Sequence, residues 1–284
     1  GNNTYEGVTT VAAGTLEARD SNATPTPLGA PSAGTVVSSG ATLDLGPPSG
    51  YTGIYSVGEP VTLDGGTLAK GGSTARITGA ISLTDDSVIH VASDEFTLAG
   101  VISGDYGISK TGAGTALLTG VNTYMGATAI NAGTLGIFGS SNLGTTPTSI
   151  APAHLVLNGG TLSALADLTL SANRGITIGS ANGTLEVDAE KTLSISSIVA
   201  GAGNLTKSGP GNLGLFGANT YGGNTTIEDG NLSIDGSGSL GNGNYAGTIS
   251  IASGSELRYT SILSQELSGV ISGDGAIKTE ASAT

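Results

Sequence analysis

The chain has 284 residues, only 11% of them charged, with nine Lys and Arg against 22 Asp and Glu for a formal net charge of −13, 49 glycines and no cysteine. So few cations exclude nucleic acid and disfavour anionic membrane surfaces as partners, because phosphate binding needs clustered Lys and Arg. The missing cysteines exclude a disulfide scaffold and a thiolate metal site, and no apolar run approaches the ~18 residues of a membrane helix, so the chain carries no transmembrane segment.

In chain order, the first feature is "NNTYEGVTTVAAGTLEA", an Asn-Thr-Tyr triplet followed by short Val/Thr/Leu runs that alternate around glycine turns. Runs of four to six Thr, Ile, Leu and Val separated by Gly-Gly, Asp-Gly or Asn-Ala-Gly read as short strands joined by tight turns, and this texture continues throughout. The glycines lack the every-third-residue period of collagen. Between Gly29 and Gly65 the chain runs 36 residues, where the equivalent interval from Gly144 to Gly159 is 15. Acidic neighbours then follow at Asp85 with Asp86 and at Asp94 with Glu95, and again at Glu228 with Asp229. Adjacent strand residues point to opposite faces, so no such pair converges locally on one ligand.

The segment "SKTGAGTALLTGVNTYMGATAINAGTLGI" at 109–137 is rewritten without a gap as "TKSGPGNLGLFGANTYGGNTTIEDGNLSI" at 206–234. In all three copies nine residues separate the Tyr from a Gly: Tyr5 to Gly14, Tyr124 to Gly133, Tyr221 to Gly230. Leu16, Leu135 and Leu232 keep the same step. A residue repeated in every copy is a structural signature, since a catalytic group is needed once. Asn3, Asn122 and Asn219 are expected to cap local turns, and Tyr5, Tyr124 and Tyr221 to cover the side of the stack. Lys110-Thr111-Gly112 spells a triplet used by penicillin-recognising enzymes, but no Ser-x-x-Lys pair accompanies it, and a turn is expected there.

Between these copies, "SALADLTLSANRG" at 163–175 is the best helical window, though its threonine and strand-like flanks argue against it. His90 and His154 are the only histidines; neither has a second ligand in short range, and partly exposed strand positions are expected for both. "DGSGSLGNGN" at 235–244 is Gly-rich but lacks Asp at nine-residue steps, so calcium is not expected. No catalytic, cofactor-binding or metal-ligating residue is assigned, and no cofactor.

Insertions and deletions between copies come in units of near-constant size. Gly29 to Gly65 exceeds Gly144 to Gly159 by almost the same length as Gly254 to Lys278 falls short of Gly159 to Lys207. A solenoid gains or loses whole coils without disturbing register, whereas a sandwich or barrel breaks its pairing. The expected fold is therefore all-β, a right-handed parallel β-helix of about 13 coils of roughly 22 residues, about 60 Å long. It would occupy residues 1–284 as a single solenoid segment, with repeat signatures at 3–29, 107–144 and 204–241. Small stacked layers explain why Ile, Val, Leu, Thr and Ala suffice when aromatics make up only 4%.

The two full copies closely resemble the passenger-associated transport repeat of bacterial autotransporters, also called the autotransporter-associated β-strand repeat; the copy at 3–29 is partial. The C-terminal "VISGDGAIKTEASAT" departs from "VISGDYGISKTGAGT" by dropping one residue and placing Glu280 where Gly112 stood. The resemblance implies a non-enzymatic passenger segment, extracellular or on the bacterial cell surface, acting as structural stalk or adhesin, with repeats that aid folding and secretion. It implies a host or neighbouring-cell surface receptor or glycan as partner. Two alternatives stand beside it: a β-helical polysaccharide lyase or glycoside hydrolase, and a subunit of an extracellular filament that self-associates end to end.

Overall fold

The computed structural model describes residues 3–19, 27–30, 32–47, 55–72 and 74–279. The fold is an all-β parallel solenoid of about 11 turns of ~21 residues. The only helical turns among the described residues are 3-10 turns at Ser140–Leu143 and Gly241–Gly243. Two compact units emerge, 1–136 with 141–145, and 137–140 with 146–284.

In the first unit the strands fall into three sheets. One sheet runs Thr9–Val11, Thr35–Ser38, Val61–Asp64, Ile81–Asp85, Ile102–Gly104, every neighbour parallel. The second runs Thr15–Ala18, Thr42–Leu45, Thr67–Lys70, Ser87–Val91, Ile108–Thr111, Thr128–Ile130. The third runs Tyr55–Val57, Ala75–Ile77, Glu95–Leu98, Thr115–Leu118. In the second unit the three sheets begin at Ala151–Leu157, Thr161–Ala164 and Leu168–Leu170 and again grow by parallel pairing, the third reaching Ala276–Thr279. The helical window at 163–175 is thus strand, turn and strand, because Leu168 and Leu170 are needed inside against Leu193 and Ile195.

The coil is not uniform. Thr9 pairs with Thr35 and Thr35 with Val61, and both steps are longer than those from Val61 to Ile81 and from Ile81 to Ile102. The count of about 11 turns is below the expected 13. The longer coils at the start mean that the extra length between Gly29 and Gly65 falls short of one local coil.

Alternation along each strand puts one row of side chains into the interior. The rows stack into columns such as Leu16, Leu43, Leu68, Ile89 in the first unit and Leu162, Leu185 then Ile227, Ile251 in the second. Glycine sets how closely the corners approach. A Cβ on Gly100 would lie 1.9 Å from the Gly79 carbonyl oxygen, and one on Gly120 would lie 2.5 Å from that of Gly100. In the second unit a glycine column at another corner runs Gly179, Gly203, Gly223, Gly247, Gly269, each later member placing a virtual Cβ 1.9 to 2.5 Å from the carbonyl oxygen before it. Any side chain there would push two coils apart, which accounts for much of the glycine content.

Candidate functional site: a clamp carried by each repeat

The repeated letters converge on three kinds of contact between coils. The first is a buried lysine. Lys110 is 0% exposed, and its Nζ donates to Thr111 O at 2.9 Å, Gly112 O at 2.7 Å and, in the following coil, Ala132 O at 3.1 Å. Lys207, also 0% exposed, repeats this with Ser208 O at 2.9 Å, Gly209 O at 2.6 Å and Asp229 O at 2.9 Å. The glycine two residues on makes the cage, because its left-handed backbone, φ 77° at Gly112 and 72° at Gly209, folds the turn's carbonyls back over the ammonium. Burial lowers both lysines to about 8 from the ordinary 10.5, an effect that nearby Asp229 and Glu186 oppose at Lys207.

The second contact is the asparagine of Asn-Thr-Tyr. Asn122 Oδ1 accepts from the Ile102 N–H, one coil back, while Nδ2 donates to Asn142 O, one coil forward, at 2.8 and 2.6 Å. Asn219 bonds likewise to Val199 N–H and Ser239 O, both at 3.0 Å, and also to Gly217 O. Each asparagine therefore ties three consecutive coils together, whereas a local turn cap was expected.

The third is the tyrosine. Tyr124 and Tyr221 are fully buried and hydrogen-bonded to Thr128 and Thr225, four residues on, so they fill the interior of the coil and do not cover its side. Tyr221 also packs edge-on against Tyr245, ring centroids 5.6 Å apart, and burial raises its hydroxyl well above the usual tyrosine range. The first copy is looser: Tyr5 keeps its bond to Thr9 but is 43% exposed, and Asn3 reaches Pro27 O.

A further lysine, outside the matched copies, shares the burial, the bond to the next coil and the following glycine. Lys70 is buried, donates to Ser93 O at 2.7 Å in the next coil, and is followed two residues on by Gly72 at φ 68°. Burial lowers its pKa, with Asp94 at 3.6 Å opposing. The signal was present as Lys-x-Gly at 70, 110 and 207, but lysine in a strand reads as a surface residue. Lys278 lacks the glycine, its side chain is 60% exposed, and it pairs with Glu256; Glu280 lies outside the described residues.

The remaining sequence candidates are dispersed. His90 lies on the outer face, sharing a 3.0 Å hydrogen bond with Thr111 Oγ1. His154 is buried, not partly exposed, and accepts from Arg174 Nη1 at 3.0 Å. Asp86 and Asp229 cap backbone N–H groups, of Gly107 and Gly230. Residues 235–244 form turns and a 3-10 turn with Asn242 at φ 53°. Among the described residues no three His, Asp or Glu come together as metal ligands, and no helix is long and apolar enough to cross a membrane, which says nothing of a β-barrel.

The model of the passenger-associated-transport-repeat matches residues 1–18, 108–137 and 205–234, the segments that carry these contacts. Over 189 residues, 65% of the chain, the sequence is 36% identical to an adhesin, the BmaC autotransporter of Brucella suis biovar 1 (strain 1330). The chain spans 5% of that relative's length. No solved structure matches it.

Proposed function

Because the chain is an autotransporter passenger segment built on passenger-associated transport repeats, we propose that it serves as a non-enzymatic structural part of an adhesin exposed outside the bacterial cell. The observation that carries this reading is how the repeated residues are used. In the copies at 108–137 and 205–234 lysine, asparagine and tyrosine turn inward, the first two bonding from coil to coil and the third within its own, so they build a scaffold and face no substrate. On this reading the repeats aid folding and secretion, because each supplies two or three coils with bonds beyond the strand ladder. Recognition of a surface receptor or glycan falls to outward columns, such as Thr161, Thr184, Thr206, Thr226, which the scaffold leaves free to vary.

The test is to express the parent protein with and without residues 108–234 and to measure passenger accessible to external protease, then cell attachment per exposed molecule. Lower exposure with unchanged attachment per molecule is the expected result for a folding and stalk segment. Unchanged exposure overturns the folding role. Release of reducing ends from a polysaccharide by the purified chain overturns the non-enzymatic one.

A further inference from the structure

The three internal lysines sit in columns that are otherwise aliphatic. Lys110 stands between Ile89 and Ile130, Lys207 between Leu185 and Ile227, and Lys70 between Leu45 and Val91. Each holds a carbonyl of the following coil 22 or 23 residues on. A leucine would pack there as its neighbours do and carry no buried charge, so stability alone gives no reason for lysine.

We propose that Lys70, Lys110 and Lys207 are register keys: they specify which residue of one coil stands beside which residue of the next. Inside-outside alternation punishes a one-residue slip between parallel strands, because it turns every apolar side chain outward. A two-residue slip keeps the alternation, and an all-aliphatic column accepts it. The glycine-rich turns here already serve coils of unequal length and can absorb the change. The ammonium does not accept it. A two-residue slip carries the acceptor of the next coil about 6.6 Å along the strand, leaving a buried charge short of a partner. The lysine thus discriminates where hydrophobicity cannot, as one buried polar residue does in a coiled-coil seam. Register irregularities occur in the pairs Val61–Asp64 with Ile81–Asp85 and Ala151–Leu157 with Arg174–Ile178, neither of which holds an internal lysine; the lysine-bearing pairs run without a break, as do other pairs such as Thr161–Ala164 with Gly183–Val187. The depressed pKa of Lys110 and Lys207 fits a residue retained for specificity. This inference concerns the solenoid itself and stands whether or not the chain mediates adhesion.

The test uses the full chain, which has no native cysteine. Ser109 and Ala129 are outward neighbours in native register, so S109C with A129C reports that register. Asn131 lies two residues further, roughly 8 Å from residue 109 by strand geometry and beyond disulfide reach, so S109C with N131C closes only after a two-residue slip. Each pair is placed in the parent and in a Lys110→Met chain, unfolded in urea, refolded, oxidised and mapped under non-reducing conditions. With Lys110 present, only the native pair should close. In Lys110→Met the slipped pair should close several-fold above the parent level, with a urea midpoint at pH 7 equal to or above that of the parent. If the slipped pair stays open in Lys110→Met, or if that chain cannot refold, the lysine is a stabilising staple and the proposal is overturned.

Discussion

The clamps at 108–137 and 205–234 reach the same result by different balances. Lys110 and Lys207 hold matching cages of three carbonyl oxygens and both fall to about 8, yet only Lys207 has carboxylates, Asp229 and Glu186, raising its pKa. Its greater desolvation cancels their help. Tyr221 adds an edge-on contact with Tyr245. Geometry is what the repeat preserves; the electrostatic surroundings vary around it.

The largest effect should come from the tyrosines. Removing a fully buried ring costs about 3–5 kcal/mol in typical cores, so Tyr124→Ala and Tyr221→Ala should each lower the unfolding free energy by that order. A loss below about 1 kcal/mol for either variant in urea titrations would show that its ring is not the packed core element described.

Next is pH. Both lysines have folded pKa values of about 8, below the ordinary 10.5, so between those values the unfolded chain binds more protons and stability must rise with pH. Over pH 8 to 9.5 the gain should be on the order of 2 kcal/mol per lysine, from ~1.4 kcal/mol per unit. Above about 10 the opposite trend of buried Tyr221, whose pKa is raised, works against it. Lys110→Met and Lys207→Met should each remove one share of the rise; an unchanged slope in both would mean that neither ammonium is desolvated as described.

The corner glycines before Asn-Thr-Tyr give a smaller contrast. A Cβ on Gly217 would meet the Ser197 carbonyl oxygen at 2.2 Å, and one on Gly120 would meet that of Gly100 at 2.5 Å. Both alanine variants should lose about 1–3 kcal/mol through overpacking, with Gly217→Ala the worse by thermal melting; the reverse order would show that the second clamp has more give. Smallest of all, Glu186→Gln should lower the Lys207 titration midpoint below that of Lys110, followed by NMR of the lysine side chains.

How much of this is legible in the letters depends on what each residue faces. Strands, turns and solenoid architecture follow from alternation and from indels close to one coil in size, because a solenoid takes up or sheds coils without disturbing the pairing of the rest. The long coils from Thr9 to Thr35 and on to Val61 are not legible, because no repeat marks their length. Burial of Lys110 and Lys207 was hidden, since a cation signals the surface unless its acceptors are known, and those belong to turns folded by Gly112 and Gly209 and to the next coil. The same holds for Asn122 and Asn219: a side chain's local options are visible in sequence, and a partner 20 residues away is not. The burial of His154 is likewise hidden, since its partner Arg174, which donates to it, lies 20 residues later.

The glycine column has one more consequence. Where a Cβ would strike the carbonyl of the coil before, drift is forbidden, whereas Thr184 or Thr206 a few residues away points outward from its sheet and constrains nothing behind it. Invariance and freedom are thus laid out as parallel stripes along the solenoid. A lineage can rewrite the outer stripes residue by residue, changing what the surface meets, and never ask the backbone to refold around the change.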